Sequence, residues 1–287
     1  MKVGIIGTGA IGSAIATRLL DSGAEVYIWN RTQEHARALL DAGTHWCQNP
    51  AEVAGSVEIL GLALATPEAT RATFYRPRGI LEGIKPGLWL IDHATEPLAL
   101  IRELATPVAE ARGTLLDAPI LGNPLIIASG QALVLLGAEQ VPNQLEAYFR
   151  AISPNLALAG ARGKAMLLKL ALNLALALNA AALAEGTALA KAFGIDPETY
   201  LEAWQKSMLG SPYVALKSEK IIHNDHSPQF ALELMRKDLS LIQLEAERVA
   251  MPLFMGNQAQ AIFALAELLG LGKLDTTALL EIYRRQG

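Results

Sequence analysis

Cysteine is nearly missing from this chain. Cys47 is the single thiol among 287 residues. That excludes an internal disulfide and a cysteine-built zinc centre, and it suits a reducing compartment, here expected to be the cytoplasm. An excess of basic charge is missing too. Lys and Arg number 24 against 28 Asp and Glu, for a formal net charge of -4. With no basic run, nucleic acid is not expected as a partner. Charged residues make up only 18% of the chain and hydrophobic ones 52%, a balance that excludes disorder and permits a large core. A secretory leader is not expected, because the apolar start at Val3–Ile6 is short and runs straight into glycines. Nor does any stretch reach the ~20 apolar residues of a bilayer span. The most apolar one, 170–184, contains Asn173 and Asn179 and lies between Lys169 and Glu185. It reads as a helix buried in protein, with no membrane partner.

What is present is an alternation. Apolar runs at 3–6, 26–29, 59–63, 88–91 and 115–116 read as buried strands. Helical patterns lie between them at 11–21, 33–42, 67–74 and 96–110. Strand and helix in turn predict a parallel sheet with helices on both faces. Residues 133–136 offer one more strand. Near residue 160 the character changes to helical pattern rich in Ala, Leu and Glu. Gly194 stops one helix and Asp196-Pro197 starts the next, as N-cap and first helical residue. The length suits two domains. We expect an α/β domain over 1–162 and an all-α domain over 163–287, joined where a long helix begins near Gly163.

Gly7-Thr8-Gly9-Ala10-Ile11-Gly12 has the spacing G-x-G-x-x-G, directly after an apolar strand and opening an amphipathic helix. Gly7 permits the tight turn, Gly9 lets a pyrophosphate approach the backbone, and Gly12 lets helix and strand pack closely. The first helical turn, with Ala10 and Ile11, then offers free N–H groups and a positive dipole end to phosphates. The bland alternative is a glycine-rich turn without a ligand. In this context the first domain reads as a dinucleotide-binding Rossmann unit.

The next strand ends in Asn30-Arg31-Thr32. An NAD site usually carries an acidic residue there for the ribose 2′-OH. An acid would repel a 2′-phosphate, whereas Arg31 can pair with one. NADPH/NADP is therefore expected, with NADH the less suited cofactor. The alternative is that Arg31 is a solvated surface residue.

Lys169 and Asn173 are four residues apart and share one helix face, among Leu and Ala. Burying an unpaired ammonium is costly. One explanation is a place in a domain cleft, where the lysine acts as acid/base and Asn173 holds the same oxygen or orients the lysine. The other is a lysine that snorkels to solvent. The pattern alone leaves these two even. His223, Asp225 and His226 suggest a metal site, but no further ligand lies near them in sequence, so no metal is expected. Gly210–Pro212 is a turn. The apolar stretch 258–271 leaves open a dimer interface or core.

Taken together, the motifs resemble those of the β-hydroxyacid dehydrogenase family, which includes 3-hydroxyisobutyrate dehydrogenase, 6-phosphogluconate dehydrogenase and the glyoxylate/succinic semialdehyde reductases. The glycine loop with Trp29-Asn30-Arg31-Thr32 is similar to the reductase branch. Asp117-Ala118-Pro119 resembles the start of the family's D-A-P-V-S-G-G segment. Residues 163–173 are similar to its G-x-G-x-x-x-K-x-x-x-N motif, and Phe230 with Lys237-Asp238-Leu239 to its F…KDL segment. The resemblance implies that Lys169 is the acid/base and Asn173 orients substrate. It implies that Lys237 reaches the cofactor or substrate, that Ala65 and Thr66 line the cofactor, and that Thr95 approaches the nicotinamide. It places Leu121, Gly122 and Asn123 at the substrate.

Departures accompany it. Leu121 stands for the family's serine, Asn123 for its second glycine, Ala165 for a glycine of the lysine motif and Ala94 for a serine. Leucine has no hydroxyl for a substrate carboxylate, although Asn123 or the Gly122 backbone could compensate. The implied activity is an NADPH-dependent oxidoreductase acting on CH–OH groups. It would reduce a small aldehyde or keto acid to the hydroxy compound, as a homodimer or homotetramer. The alternatives are an imine reductase-like enzyme and a non-catalytic NADP-binding protein. Imine reductases similar to this sequence generally lack the lysine, so Lys169 favours carbonyl chemistry.

Overall fold

Apolar residues that alternate between two covered faces build the centre of the first unit. Ile5, Ile28, Ile91 and Leu116 pack into one hydrophobic cluster, while Ile6, Trp29, Leu90 and Leu115 pack into another. Neighbours along each strand thus point to opposite sides, and both sides are dry. The strands in question are β1 (Lys2–Ile6), β2 (Glu25–Trp29), β3 (His45–Trp46), β4 (Ile59–Leu62), β5 (Trp89–Asp92) and β6 (Thr114–Asp117). They form a parallel sheet in the order β3-β2-β1-β4-β5-β6. The order reverses between β1 and β4. In open α/β sheets that switch point is where ligands bind, beyond the carboxyl ends of the strands.

The computed structural model describes residues 1–284, so the end of the expected 163–287 domain lies outside the described residues. The helices of the first half are α1 (Ala10–Asp21), α2 (Arg37–Asp41), α3 (Pro50–Ser56), α4 (Pro67–Tyr75), α5 (Ile80–Gly83), α6 (Leu98–Glu110), α7 (Pro124–Ala128) and α8 (Glu146–Ile152). A second small sheet holds β7 (Ile120–Leu121), β8 (Leu133–Leu136) and β9 (Leu156–Leu158), with β7 antiparallel and β9 parallel to β8. The strand expected at 133–136 therefore forms, but outside the main sheet.

The second half is helical: α9 (Lys164–Ala192), α10 (Pro197–Lys206), α11 (Pro212–Ile222), α12 (Leu232–Arg248), α13 (Phe254–Leu268) and α14 (Leu280–Arg284). Asp196 caps α10 by accepting the Glu198 N–H, with Pro197 in its first turn. A separate core of Leu183, Leu201, Leu239, Phe263 and Leu279 holds this unit. The chain divides into two compact units, 1–169 and 170–287. The division by compactness falls inside α9.

Candidate dinucleotide and lysine site

The loop after β1 has glycine where only glycine fits. Gly7 adopts φ +92°, and a Cβ on it would lie 2.5 Å from the Ala63 carbonyl oxygen. A Cβ on Gly12 would meet the Gly7 carbonyl oxygen at 1.8 Å. At Gly9 a Cβ would meet nothing within 4 Å, so the backbone there is open to a ligand. Gly9 is the N-cap of α1 and no side chain caps that helix. The first-turn N–H groups at Ala10, Ile11 and Gly12 therefore face the anion-binding end of the helix. This cradle fits the pyrophosphate of a dinucleotide.

Asn30 serves the loop itself. Its Oδ1 accepts the Thr8 N–H at 3.2 Å, and its Nδ2 donates to the Thr32 carbonyl at 2.9 Å. The end of β2 is thereby tied to the glycine loop beside it. Arg31 is exposed, free of the packing that holds its neighbours. Arg76, at the end of α4, lies over the Trp29 ring with its guanidinium carbon 5.5 Å from the centroid.

The remaining predicted cofactor residues of this unit also follow strand ends. Ala65 is exposed and Thr66 half-buried after β4. Thr66 Oγ1 accepts the Ala69 N–H at 3.2 Å and caps α4. Thr95 is half-buried after β5. Beside it Glu96 is wholly buried and accepts the Thr70 hydroxyl at 2.5 Å. Thus the glycine loop, Asn30–Thr32, Ala65–Thr66 and Thr95 all lie at the carboxyl edge of the sheet, around the switch point.

Lys169 is 9% exposed, and its Nζ donates to the Ile120 carbonyl at 2.8 Å. The snorkelling alternative is thereby excluded, because the ammonium turns inward onto β7. Leu121, Gly122 and Asn123 follow at once and are half-buried. Asn123 Oδ1 accepts the Ile126 N–H at 2.9 Å as the N-cap of α7. That oxygen is committed to the helix, so only the Asn123 amide N–H groups and the Gly122 backbone are left to replace the missing hydroxyl at Leu121.

Within the helical unit, Asn173 and Lys237 converge on one carboxylate. Asn173 Nδ2 donates to Asp238 Oδ2 at 2.6 Å, and Lys237 Nζ lies 3.1 Å from Asp238 Oδ1. Because a carboxylate only accepts, the Asn173 amide must present its nitrogen to Asp238. Its Oδ1 is then left buried with no hydrogen-bond partner among the described residues, an acceptor suited to a donor from outside the chain.

Sequence reasoning gave no role to Asp238, Asp117 or His93, though all three are buried. The KDL motif contained Asp238, and its place beside Lys237 was the available signal. His223 and His226 do not converge on a common centre. Asp225 pairs with Lys220 at 2.6 Å, and His226 contacts Thr277 and Glu281 at 3.0 and 3.2 Å. Among the described residues no group of three or more His, Cys, Asp or Glu is placed to hold a metal.

A parallel sheet with this switch point, and an uncapped glycine loop at it, define a nicotinamide dinucleotide-binding protein of two units. Residues 2–160 match the NAD-binding domain of 6-phosphogluconate dehydrogenase. Residues 163–283 match the family described as NAD-binding of NADP-dependent 3-hydroxyisobutyrate dehydrogenase. The chain belongs to the β-hydroxyacid dehydrogenase family.

It is 30% identical over 283 residues to the cytokine-like nuclear factor N-PAC of Xenopus tropicalis, covering 98% of this chain and 53% of that protein. It is 28% identical to a probable 3-hydroxyisobutyrate dehydrogenase-like 1, mitochondrial, of Arabidopsis thaliana, covering 97% of this chain and 84% of that one. The crystal structure of 3-hydroxyisobutyrate dehydrogenase from Salmonella typhimurium superposes with a TM-score of 0.89 at 25% identity, covering 98% of this chain and 99% of that one. The chain spans about half the length of the N-PAC relatives it matches.

Proposed function

We propose that this protein is an NADPH-dependent reductase of a small aldehyde or keto acid, with Lys169 as the proton donor. One observation carries the reading. A lysine in an apolar helix is turned inward and held on the Ile120 carbonyl, beside the segment where the family resemblance puts the substrate.

Bound at the glycine loop, NADPH supplies the hydride that the carbonyl carbon accepts. The rest is done by the chain. The Lys169 ammonium gives a proton to the carbonyl oxygen as that oxygen gains charge, and in the reverse direction the amine takes the proton back. Ile120 fixes the amine by one hydrogen bond. Asn173 Oδ1 accepts an O–H of the substrate or product, and Asp238 sets the amide's orientation. The first-turn N–H groups of α1 hold the pyrophosphate, and Arg31 pairs with the 2′-phosphate. The same reading includes self-association in the cytoplasm. Along α13, Phe254, Met255 and Leu268 are 78%, 65% and 85% exposed, apolar side chains that a second copy would cover.

A panel of aldehydes, keto acids and cyclic imines, followed by NADPH oxidation, tests the reaction. Lys169→Ala should lower turnover about 10²–10⁴-fold, the usual worth of a general acid, while leaving NADPH affinity within about twofold, because the lysine acts on the proton and not on the cofactor. Undiminished turnover in that variant removes Lys169 from the mechanism. Arg31→Ala should weaken NADPH binding about tenfold or more, the value of a charge-assisted hydrogen bond, and leave NADH binding nearly unchanged. Equal losses for both cofactors would refute the 2′-phosphate role.

A second reading draws on Leu121 and on the committed oxygen of Asn123. With little to hold a carboxylate, the segment also suits a less polar carbonyl compound or an imine. Turnover of cyclic imines but not of glyoxylate in the same panel would select it.

A further inference from the structure

Asp117-Ala118-Pro119-Ile120, leading from β6 into β7, makes more polar contacts than four residues need. The Asp117 side chain is wholly buried. Its Oδ1 accepts the Gly163 N–H at 2.7 Å and its Oδ2 accepts the Met166 N–H at 3.0 Å. These amides stand at the start of α9, where a helix cannot satisfy its own donors. A cap usually comes from the residue just before the helix. Here it comes from 46 residues earlier in the chain. Three residues beyond Asp117, the Ile120 carbonyl takes the Lys169 ammonium at 2.8 Å. One short segment therefore holds α9 at 163, 166 and 169 in succession.

The segment is itself held. The Ala118 carbonyl lies 2.7 Å from His93 Nδ1, and His93 Nε2 lies 2.8 Å from the Tyr148 hydroxyl. A carbonyl can only accept, so Nδ1 carries the proton and Nε2 accepts from Tyr148. The Asp117 carbonyl accepts the Gly137 N–H at 2.9 Å and the Pro119 carbonyl the Leu135 N–H at 3.0 Å. A Cβ on Gly137 would stand 2.0 Å from Asp117 Oδ1, so the carboxyl group has no room on that side. α9 is attached to a segment whose four carbonyls are each hydrogen-bonded.

We propose that Asp117 is the positioning residue for Lys169: by capping α9 from a distance, it sets the height at which the lysine amine meets the Ile120 carbonyl and is presented to substrate. This rests on reading Lys169 as the proton donor. An α-helix advances ~1.5 Å per residue, so a slip of a single residue at the cap would carry the amine off that carbonyl.

The test reads the amine directly. Trace acetylation of the full chain across a pH series, followed by peptide mass spectrometry, gives the reactivity of Lys169 relative to exposed Lys164 on the same helix. In the wild type Lys169 should react about ten times more slowly or less, and the Gly163 and Met166 amides should be strongly protected from hydrogen exchange. Asp117→Asn keeps one acceptor oxygen but puts a donor in place of the other, so it should bring the two lysines within about threefold and release at least one of the two amides. Gly137→Ala should do the same by crowding the carboxyl group without removing it.

An unchanged lysine ratio in either folded variant overturns the proposal, as does rapid exchange of those amides in the wild type. Kinetics separate positioning from mere stability. Asp117→Asn should lower kcat at least about tenfold at unchanged NADPH affinity, and should lower it no further in a Lys169→Ala background. Multiplicative losses in the double variant would reduce Asp117 to a structural role. Full turnover in Lys169→Ala alone would sink the proton-donor reading, while the acetylation ratio would still report whether Asp117 places the amine.

Discussion

His93 shows how burial fixes the protonation state of a side chain. The side chain is buried between Ala118 and Tyr148, and burial pushes its pKa from 6.5 down to about 4. It must stay neutral, because Nε2 is an acceptor. The unfolded chain takes up a proton on this ring below about pH 6.5, while the folded chain resists until about pH 4. Stability therefore falls as pH drops through that window. The shift corresponds to about 3 kcal/mol. In His93→Gln the same penalty is absent. The stability advantage of wild type over His93→Gln, from urea unfolding, should shrink by up to about 3 kcal/mol between pH 7 and pH 4. A constant difference would mean that the ring is not held neutral. Cys47 is the opposite case: burial and nearby Glu52 raise its thiol to about 11, which keeps it inert at neutral pH.

Among the elements, β1, β2 and β4 were legible because each is a continuous apolar run, as a strand covered on both faces must be. The glycine loop was legible because its spacing is a steric requirement, now visible in the contacts at Gly7 and Gly12. Short elements were not legible. β3 has two residues and exists by pairing with β2, and β9 by parallel pairing with β8; no local pattern encodes either. The helix expected at 33–42 divides into a 3-10 turn, Gln33–Ala36, and α2. α6 begins at Leu98 and not Glu96, because Pro97 restrains the residue before it. Asn123-Pro124 did carry a readable signal, an N-cap followed by proline at the first helical position. Asp117 carried only its place in the Asp117-Ala118-Pro119 segment, with no sign of the cap, since its partners lie 46 and 49 residues away. The loop also yields a prediction. Gly12→Ala should abolish measurable NADPH binding in fluorescence titration, because the methyl group must displace the Gly7 carbonyl. An unaltered dissociation constant would show that the loop adapts.

Across the whole molecule, the two units are held by different means. The dinucleotide unit relies on apolar layers on both sides of its sheet. The helical unit adds a buried ion pair, Lys217 Nζ with Asp275 at 2.8 and 2.9 Å. Asp275 also accepts the N–H groups of Gln229, Phe230 and Thr277, joining α11 to the approach to α12 and to the turn before α14. Lys217→Met would leave that carboxylate buried beside an apolar group. Unfolding should become easier by about 3–5 kcal/mol, measured by denaturant titration, with NADPH affinity unchanged. A loss below about 1 kcal/mol would show that water reaches Asp275.

The division inside α9 has a practical meaning for recombination with relatives. The family-level match changes between residues 160 and 163, whereas the compact units part after Lys169. A graft cut at the earlier point takes the lysine from whichever parent supplies the helical half. A graft cut at the later point inherits it with the glycine loop. In a chimaera, a few residues at the head of one helix decide which parent contributes Lys169.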